Sequence, residues 1–395
     1  MSKRLVYLDN AATTPVRQEV LEAMLPYLGK DAFGNPSSAH RFGRSARAGV
    51  EEAKRTIAEL LGGGAEPNQV IFTSGGTEAD NLAVIGCALA ARDHGAPFRV
   101  AVSAIEHKAV LGAAHAVRHL GGEEIVLPVT ASGTVAEDGL TDALTRGVAL
   151  VSVMWVNNEV GVVQPVAQLA ARCRAAGVPF HSDAVQAFGK VPVSLSDVDC
   201  TFLTISGHKI GGPKGIGALV VRDRHALEGG AIIHGGGQQF GLRPGTENVP
   251  GIVGLGKAAE LAAAEQAAFA RRVAALRDEL ERRVLAVVPD AVINAWQAAR
   301  APHVSNVSLP GTDSEALLMH LDLAGIACSS GSACSTGAVE PSHVLTAMGV
   351  PRELGVAALR FSFGKDNVPE DVEAVAAALP RIVEKVRALA AVLHR

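Results

Sequence analysis

The chain has 395 residues, 36 basic and 40 acidic, a formal net charge of -4, and 48% hydrophobic against 19% charged residues. This is the composition of a compact folded protein, and at one domain per ~150 residues it predicts two domains. No basic block is present, which removes the electrostatic basis for binding a nucleic-acid backbone.

The amino terminus turns polar after too short an apolar patch for a secretory signal, and the apolar run 148–156 is broken by Ser152. Such a run falls well below the ~20 residues that cross a bilayer. The reading is a cytoplasmic protein with no membrane partner. Five cysteines, Cys87, Cys173, Cys200, Cys328 and Cys334, are an odd number without metal-ligand spacing, so reduced thiols and no metal site are expected.

From about residue 70 to 220, β-branched runs alternate with helical patterns. Strands are predicted from Gln69, Arg99, Ala149, Val178, Thr201 and Gly217, giving an α/β fold with a mostly parallel sheet covered by helices on both faces. Leu82, Ile85 and Leu89 mark one face of a helix after the first strand, and Leu169 to Ala176 form a crossover helix. A long Ala-, Glu-, Arg- and Leu-rich helix runs from Val249 to about Val288, entered through Asn248 and Pro250. Strands at 304–309 and 358–363 and helices at 314–323 and 370–393 complete a smaller α+β domain.

Polar residues gather where the predicted strands end, the place at which open α/β sheets collect ligands. Phe72-Thr-Ser-Gly-Gly-Thr-Glu places glycines and hydroxyls between strand and helix, and free backbone N–H groups with the helix dipole make an anion cradle at Gly76 and Thr77. A plain helix cap at Ser74 or Thr77 is the alternative. His107 follows the next strand, where an imidazole can stack on a flat ring and move protons. Asn158 suits a ring hydroxyl or a carboxylate. Asp183 and Gln186 end another strand, and a carboxylate there keeps a pyridine nitrogen protonated.

Lys209 lies in Ser206-Gly-His-Lys-Ile-Gly-Gly-Pro, a glycine-rich turn leaving an apolar strand. The spacing fails the phosphate-binding Gly-x4-Gly-Lys-Ser/Thr pattern, which removes nucleoside triphosphates and leaves Lys209 as a covalent cofactor anchor. Cys334 lies among very small residues, Ser329-Ser-Gly-Ser-Ala-Cys-Ser-Thr-Gly, with nothing to hold it in a core, whereas Cys87, Cys173 and Cys200 sit in helix or strand patterns as small buried hydrophobes. Arg360 can grip a carboxylate with two parallel bonds. Together these are the parts of a pyridoxal phosphate (PLP) site.

In order along nearly the whole chain, Tyr7-Leu-Asp-Asn-Ala-Ala-Thr-Thr-Pro, Gly34-Asn-Pro-Ser-Ser-Ala-His, Thr73-Ser-Gly-Gly-Thr-Glu, Glu106-His-Lys, Asn157-Asn-Glu-Val-Gly, His181-Ser-Asp-Ala-Val-Gln, Ser206-Gly-His-Lys, Ser329-Ser-Gly-Ser-Ala-Cys and Leu359-Arg-Phe-Ser resemble the cysteine desulfurases of the class V aminotransferase group. The stretch around Cys334 resembles the long-loop subgroup that serves iron-sulfur assembly. The resemblance implies PLP fold type I, with a seven-stranded-type sheet in a large domain, 15–260, and a small domain of 1–14 and 261–395 carrying the reactive cysteine. It implies that Lys209 holds PLP as a Schiff base, that His107 stacks on the ring, that Asp183 pairs with its nitrogen and Gln186 with its hydroxyl, and that Gly76, Thr77, Ser206 and His208 bind the phosphate. Asn35, Asn158 and Arg360 would hold the substrate carboxylate, and Thr246 would reach the cofactor of a second subunit, making the protein a homodimer.

By the same resemblance L-cysteine becomes L-alanine, with Lys209 and His107 moving protons and the sulfur passing to Cys334 as a persulfide for an iron-sulfur scaffold or other acceptor. The alternatives are a selenocysteine lyase or aminotransferase of the same group and, outside catalysis, a sulfur or metal carrier using Cys328 and Cys334 alone. The chain departs from the pattern at Gln239 and Phe240, where relatives carry Glu-Arg, which puts in doubt a charge pairing near the dimer seam. It departs again at Cys328, where a small apolar residue is usual; Cys328 is expected to be dispensable.

Overall fold

The computed structural model describes residues 5–331, 333–335 and 338–393, and for 333–335, 338–339 and 391–393 the backbone alone. A seven-stranded sheet organises the chain, in the spatial order Val70–Thr73, Gly217–Val221, Phe202–Ser206, Phe180–Asp183, Leu150–Ser152, Arg99–Ser103, Glu123–Leu127. Six strands run in one direction; Gly217–Val221 alone runs antiparallel to both of its neighbours. Val70–Thr73, Phe202–Ser206 and Gly217–Val221 are buried at every position, as a sheet covered on both faces requires. The strand Glu123–Leu127 was not read from the sequence; Glu123 and Glu124 mask it, being edge residues that stay only partly covered.

The helix after the first strand has left its expected phase by Leu89. Leu82 is buried, but Ile85 and Leu89 are only partly so, while Ala83, Val84, Gly86, Cys87 and Ala88 are packed away. Residues 82–86 form a π-helical turn between two α-helical pieces, 76–81 and 87–93, and this rotates the face that spacing alone assigns. Gly86 lies against the backbone of Gly230, where an added Cβ would meet the Gly230 carbonyl oxygen at 2.6 Å.

The helix Val249–Val287 continues unbroken for 39 residues. Its first residues, Val249 to Ala259, pack into the core beside the large sheet, and Val273 to Val284 pack into a second core with Val307, Phe361, Phe363 and the helix Pro369–Leu393. The second core covers the three-stranded antiparallel sheet of Val292–Ile293, Val304–Ser308 and Ala358–Ser362. The amino-terminal segment crosses between the two, with Val6–Tyr7 paired to Ile326–Ala327. Ala333–Ser335 and Ala338–Glu340 pair antiparallel, Cys334 opposite Val339. Among the described residues no helix is long and apolar enough to cross a membrane.

Candidate active site

A cavity of about 410 Å³ opens at the carboxyl ends of the parallel strands. It is lined by Gly76, Thr77, His107, Asn158, Asp183, Gln186, Ser206, His208, Lys209 and Arg360, so residues from six motifs share one space. Asn35 and Thr246 are exposed and lie outside this lining.

Lys209 closes a short 3-10 turn, Gly207–Lys209, held by Gly207 N–H to the Ile216 carbonyl and Gly212 N–H to the Gly207 carbonyl. Gly211 has φ +82° and supports the Arg17 stem, so a side chain there is strained and obstructed. The lysine Nζ donates to the carbonyls of Ala11 (2.7 Å) and Ala12 (2.6 Å). Burial pushes this amine down to about 8 and nearby Arg360 adds to the effect, while Asp183 and Asp9 oppose it.

Asp183 is buried, and its Oδ1 accepts the Val185 N–H at 2.8 Å. Burial raises its pKa, with His107 and Lys209 pulling the other way. His107 caps the helix Lys108–His119, accepting the Ala109 N–H at Nδ1, which leaves the proton of the neutral ring on Nε2. Burial holds its pKa down. The turn before it is braced from below: Glu106 Oε1 accepts the Met154 N–H at 2.6 Å, and Asn157 Nδ2 donates to the Ile105 carbonyl at 2.9 Å.

At the other end of the cavity, strand meets helix without room for side chains. An added Cβ at Gly76 would meet Val185 Cγ2 at 2.9 Å, and one at Gly217 would meet the Gly75 carbonyl carbon at 2.7 Å. No side chain caps this helix start, so the Ser74 or Thr77 cap does not form. Ser74, Gly75, Lys214 and Gly215 extend the cleft beyond Thr77 and His208. His208 Nδ1 meets Thr13 Oγ1 at 3.1 Å, and burial pushes its pKa down to about 4.

Two candidate side chains have partners that their motifs do not announce. Gln186 Nε2 donates to the Ala11 carbonyl at 2.8 Å, while its Oε1 accepts from the buried Lys190 at 2.9 Å and faces His303 Nε2 at 3.2 Å. Arg360 donates from Nη2 to Asp9 Oδ1 at 2.7 Å and from Nη1 to the Asn158 carbonyl at 3.0 Å, and its buried Nε has no partner. The segment 9–14, to which sequence reasoning gave no role, thus forms a strap across Lys209, Gln186, His208 and Arg360. Asp80, also missed, lies fully buried in the cavity wall with Oδ1 3.7 Å from His181 Nε2.

These residues suit PLP. The glycine-lined cleft with Thr77 and His208 accommodates a phosphate, buried Asp183 answers a pyridinium N–H, and the amine of depressed pKa can join an aldehyde. Over residues 6–375 the chain matches the family model described as Aminotransferase class-V. It belongs to the class-V aminotransferase family. A cysteine desulfurase named IscS from Dictyoglomus turgidum is 44% identical over 387 residues, covering 98% of this chain and 96% of that protein. A cysteine desulfurase from Cereibacter sphaeroides is 46% identical over 97% of both chains. The crystal structure of a NifS-like protein from Rickettsia africae superposes with a TM-score of 0.84 at 33% identity, covering 96% of this chain and 100% of that one. Within the family the chain therefore stands among the PLP-dependent cysteine desulfurases.

The departures from the pattern have visible surroundings. Gln239 Oε1 accepts the Phe72 N–H at 3.1 Å and its amide donates to Glu247, while the Phe240 ring lies 4.2 Å from the Arg224 guanidinium. Both residues hold positive φ, 47° and 61°. Cys328 packs against the second core, and burial pushes its thiol up to about 12. The Cys334 side chain lies outside the described residues.

Proposed function

We propose that the chain removes sulfur from L-cysteine, leaving L-alanine and a persulfide on Cys334. The observation that carries this reading is the meeting of Lys209, Asp183, His107 and Arg360 in one cavity. Lys209 would hold PLP, Asp183 would keep its ring nitrogen protonated, Gln186 would meet its hydroxyl, and Gly76, Thr77, Ser206 and His208 would take its phosphate. Bound there, PLP supplies an electron sink that acidifies the Cα proton of an attached amino acid.

The rest is work for the chain's own side chains. The Lys209 amine, its pKa about 8, sits in the range where it can take a proton at neutral pH and return it. His107 passes a proton through Nε2. Arg360, with Asn158 and Asn35, would orient the substrate carboxylate, and the free Nε of Arg360 is a donor in hand. The Cys334 thiolate would accept the sulfur as the substrate C–S bond breaks, its electron pair staying with the alanine carbon that is then protonated. The same reading includes a homodimer to which Thr246 is lent across the interface, an iron-sulfur scaffold or similar acceptor, a cytoplasmic setting, and division into 15–260 and 1–14 with 261–395, which the two apolar cores support.

The test is incubation of the purified protein with L-cysteine and a reductant. Alanine and sulfide should appear in equal amounts, and without reductant the Cys334 peptide should gain one sulfur. A keto acid in place of alanine, or sulfur on another cysteine, would overturn the reading.

A further inference from the structure

Glu159 is a buried carboxylate fixed from its own backbone. Its N–H is held by Asn157 Oδ1 at 2.9 Å and its carbonyl by Asn306 Nδ2 at 3.2 Å. Two stretches far away in sequence close on its side chain. Ser342 donates its hydroxyl to Glu159 Oε2, and Ser342 Oγ also accepts the Val344 N–H at 3.0 Å, capping the helix His343–Ala347. The next residue, His343, reaches the Glu106 carbonyl through Nε2 at 3.0 Å. From the other side, Ser329 exchanges two backbone bonds with Arg360, 3.1 and 2.7 Å. Gly331 then passes so close that an added Cβ would fall on Glu159 Oε2 and 2.9 Å from Ser342 Cβ.

Gly331 and Ser342 bracket the stretch that carries Cys334, and both meet one carboxylate. Packing alone does not call for an acid here, because a buried carboxylate costs desolvation that an apolar side chain of like volume avoids. What the side chain adds is a buried acceptor for the Ser342 hydroxyl, kept although burial raises the pKa of the carboxyl. Glu159 also adjoins Asn158, whose carbonyl holds Arg360 in the cavity wall. The post that ties the two stems is thus continuous with the wall of the cavity.

We propose that Glu159 is a positioning residue for Cys334: bonded to Ser342 and packed against Gly331, it fixes the base of the cysteine-bearing hairpin against the cavity. This rests on the reading of Cys334 as sulfur acceptor. Glu159 itself does not line the cavity, so its effect falls on the transfer of sulfur and not on the earlier events at Lys209.

Three variants of the PLP-loaded protein decide it: Glu159→Ala, Ser342→Ala and the shape-conserving Glu159→Gln. In the two alanine variants the persulfide on Cys334 should form at least about tenfold more slowly, the scale on which misplaced reacting groups lose rate. The spectral change of the bound cofactor on adding L-cysteine should keep its rate and half-saturation. Hydrogen exchange should quicken in peptides covering 326–331 and 342–348, and Glu159→Gln, which can still accept from Ser342, should recover most of the loss. Wild-type persulfide and exchange rates in Glu159→Ala would overturn the proposal, and so would a spectral response that falls in step with the persulfide. Should Glu159→Ala fail to fold, Ser342→Ala carries the same outcomes. If the wild-type protein places sulfur elsewhere, the functional reading fails, while the exchange data still decide whether Glu159 ties the stems.

Discussion

The two walls of the cavity are built differently. On the sheet side, His107, Asp183 and Lys209 each sit within a few residues of a strand end; His107 and Asp183 are fixed by bonds inside their own motif, to Ala109 and Val185, and Lys209 is carried on a local turn although its Nζ reaches Ala11 and Ala12. On the small-sheet side Arg360, in the strand Ala358–Ser362, is fixed by Asp9, 351 residues away, and by Asn158. Local geometry sets most of the groups proposed to do chemistry, and long-range pairing sets the group proposed to receive the substrate. Damage to the first wall should therefore appear in turnover, and damage to the second in substrate affinity and stability.

The comparison is broken most severely at Lys209. Lys209→Ala should lower turnover by at least about a thousandfold, as loss of a covalent catalytic group does, and should abolish the absorbance of lysine-linked PLP while PLP still binds. Asp183→Asn should cost roughly a hundredfold in kcat with KM little changed, the scale for removing one preorganised electrostatic partner. If KM rose instead, the two walls would not divide the labour as described.

On the small-sheet side, Asp9→Asn breaks a largely buried ion pair, in which Arg360 is 8% and Asp9 20% exposed. It should lower stability by about 2 kcal/mol in urea unfolding, less than a fully buried pair would cost. A finer test uses pH. With its pKa near 8 against an ordinary 10.5, Lys209 is protonated in both folded and unfolded chains below about 8. Between 8 and 10.5 the unfolded chain holds more protons, so this residue's contribution makes the cofactor-free protein more stable as pH rises through that window. Lys209→Met should be relatively stabilised at neutral pH and should flatten that slope. The smallest effect is expected at Cys328: Cys328→Ala should release sulfur at the wild-type rate and lose about 1 kcal/mol for the small void left in the second core.

This division also sets what was legible in the sequence. The strand-end motifs around Gly76, His107, Asp183 and Lys209 could be read because each backbone is shaped by its own neighbours, as are the side chains of His107 and Asp183. The strap 9–14 could not, because its partners Gln186, His208, Lys209 and Arg360 come from distant turns. In the helix beginning at Gly76, Leu82 and Ile85 meet one core as their spacing predicts, but Leu89 does not, because a π turn leaves no mark in apolar spacing. Lys190 and His303, buried about Gln186, would pass for surface residues by composition alone.

The helix Val249–Val287 bears on more than layout. Thirty-nine residues at 1.5 Å each make a rod of about 58 Å, seated at one end among the residues beneath the large sheet and at the other among those beneath the small one. Neither set can melt without freeing half of the rod, and a half-freed rod loses the partner that made its helical form stable. The two cores should therefore unfold in a single cooperative step, and the spacing between Arg360 on the small sheet and Lys209 beside the large one should be kept by the stiffness of one uninterrupted helix.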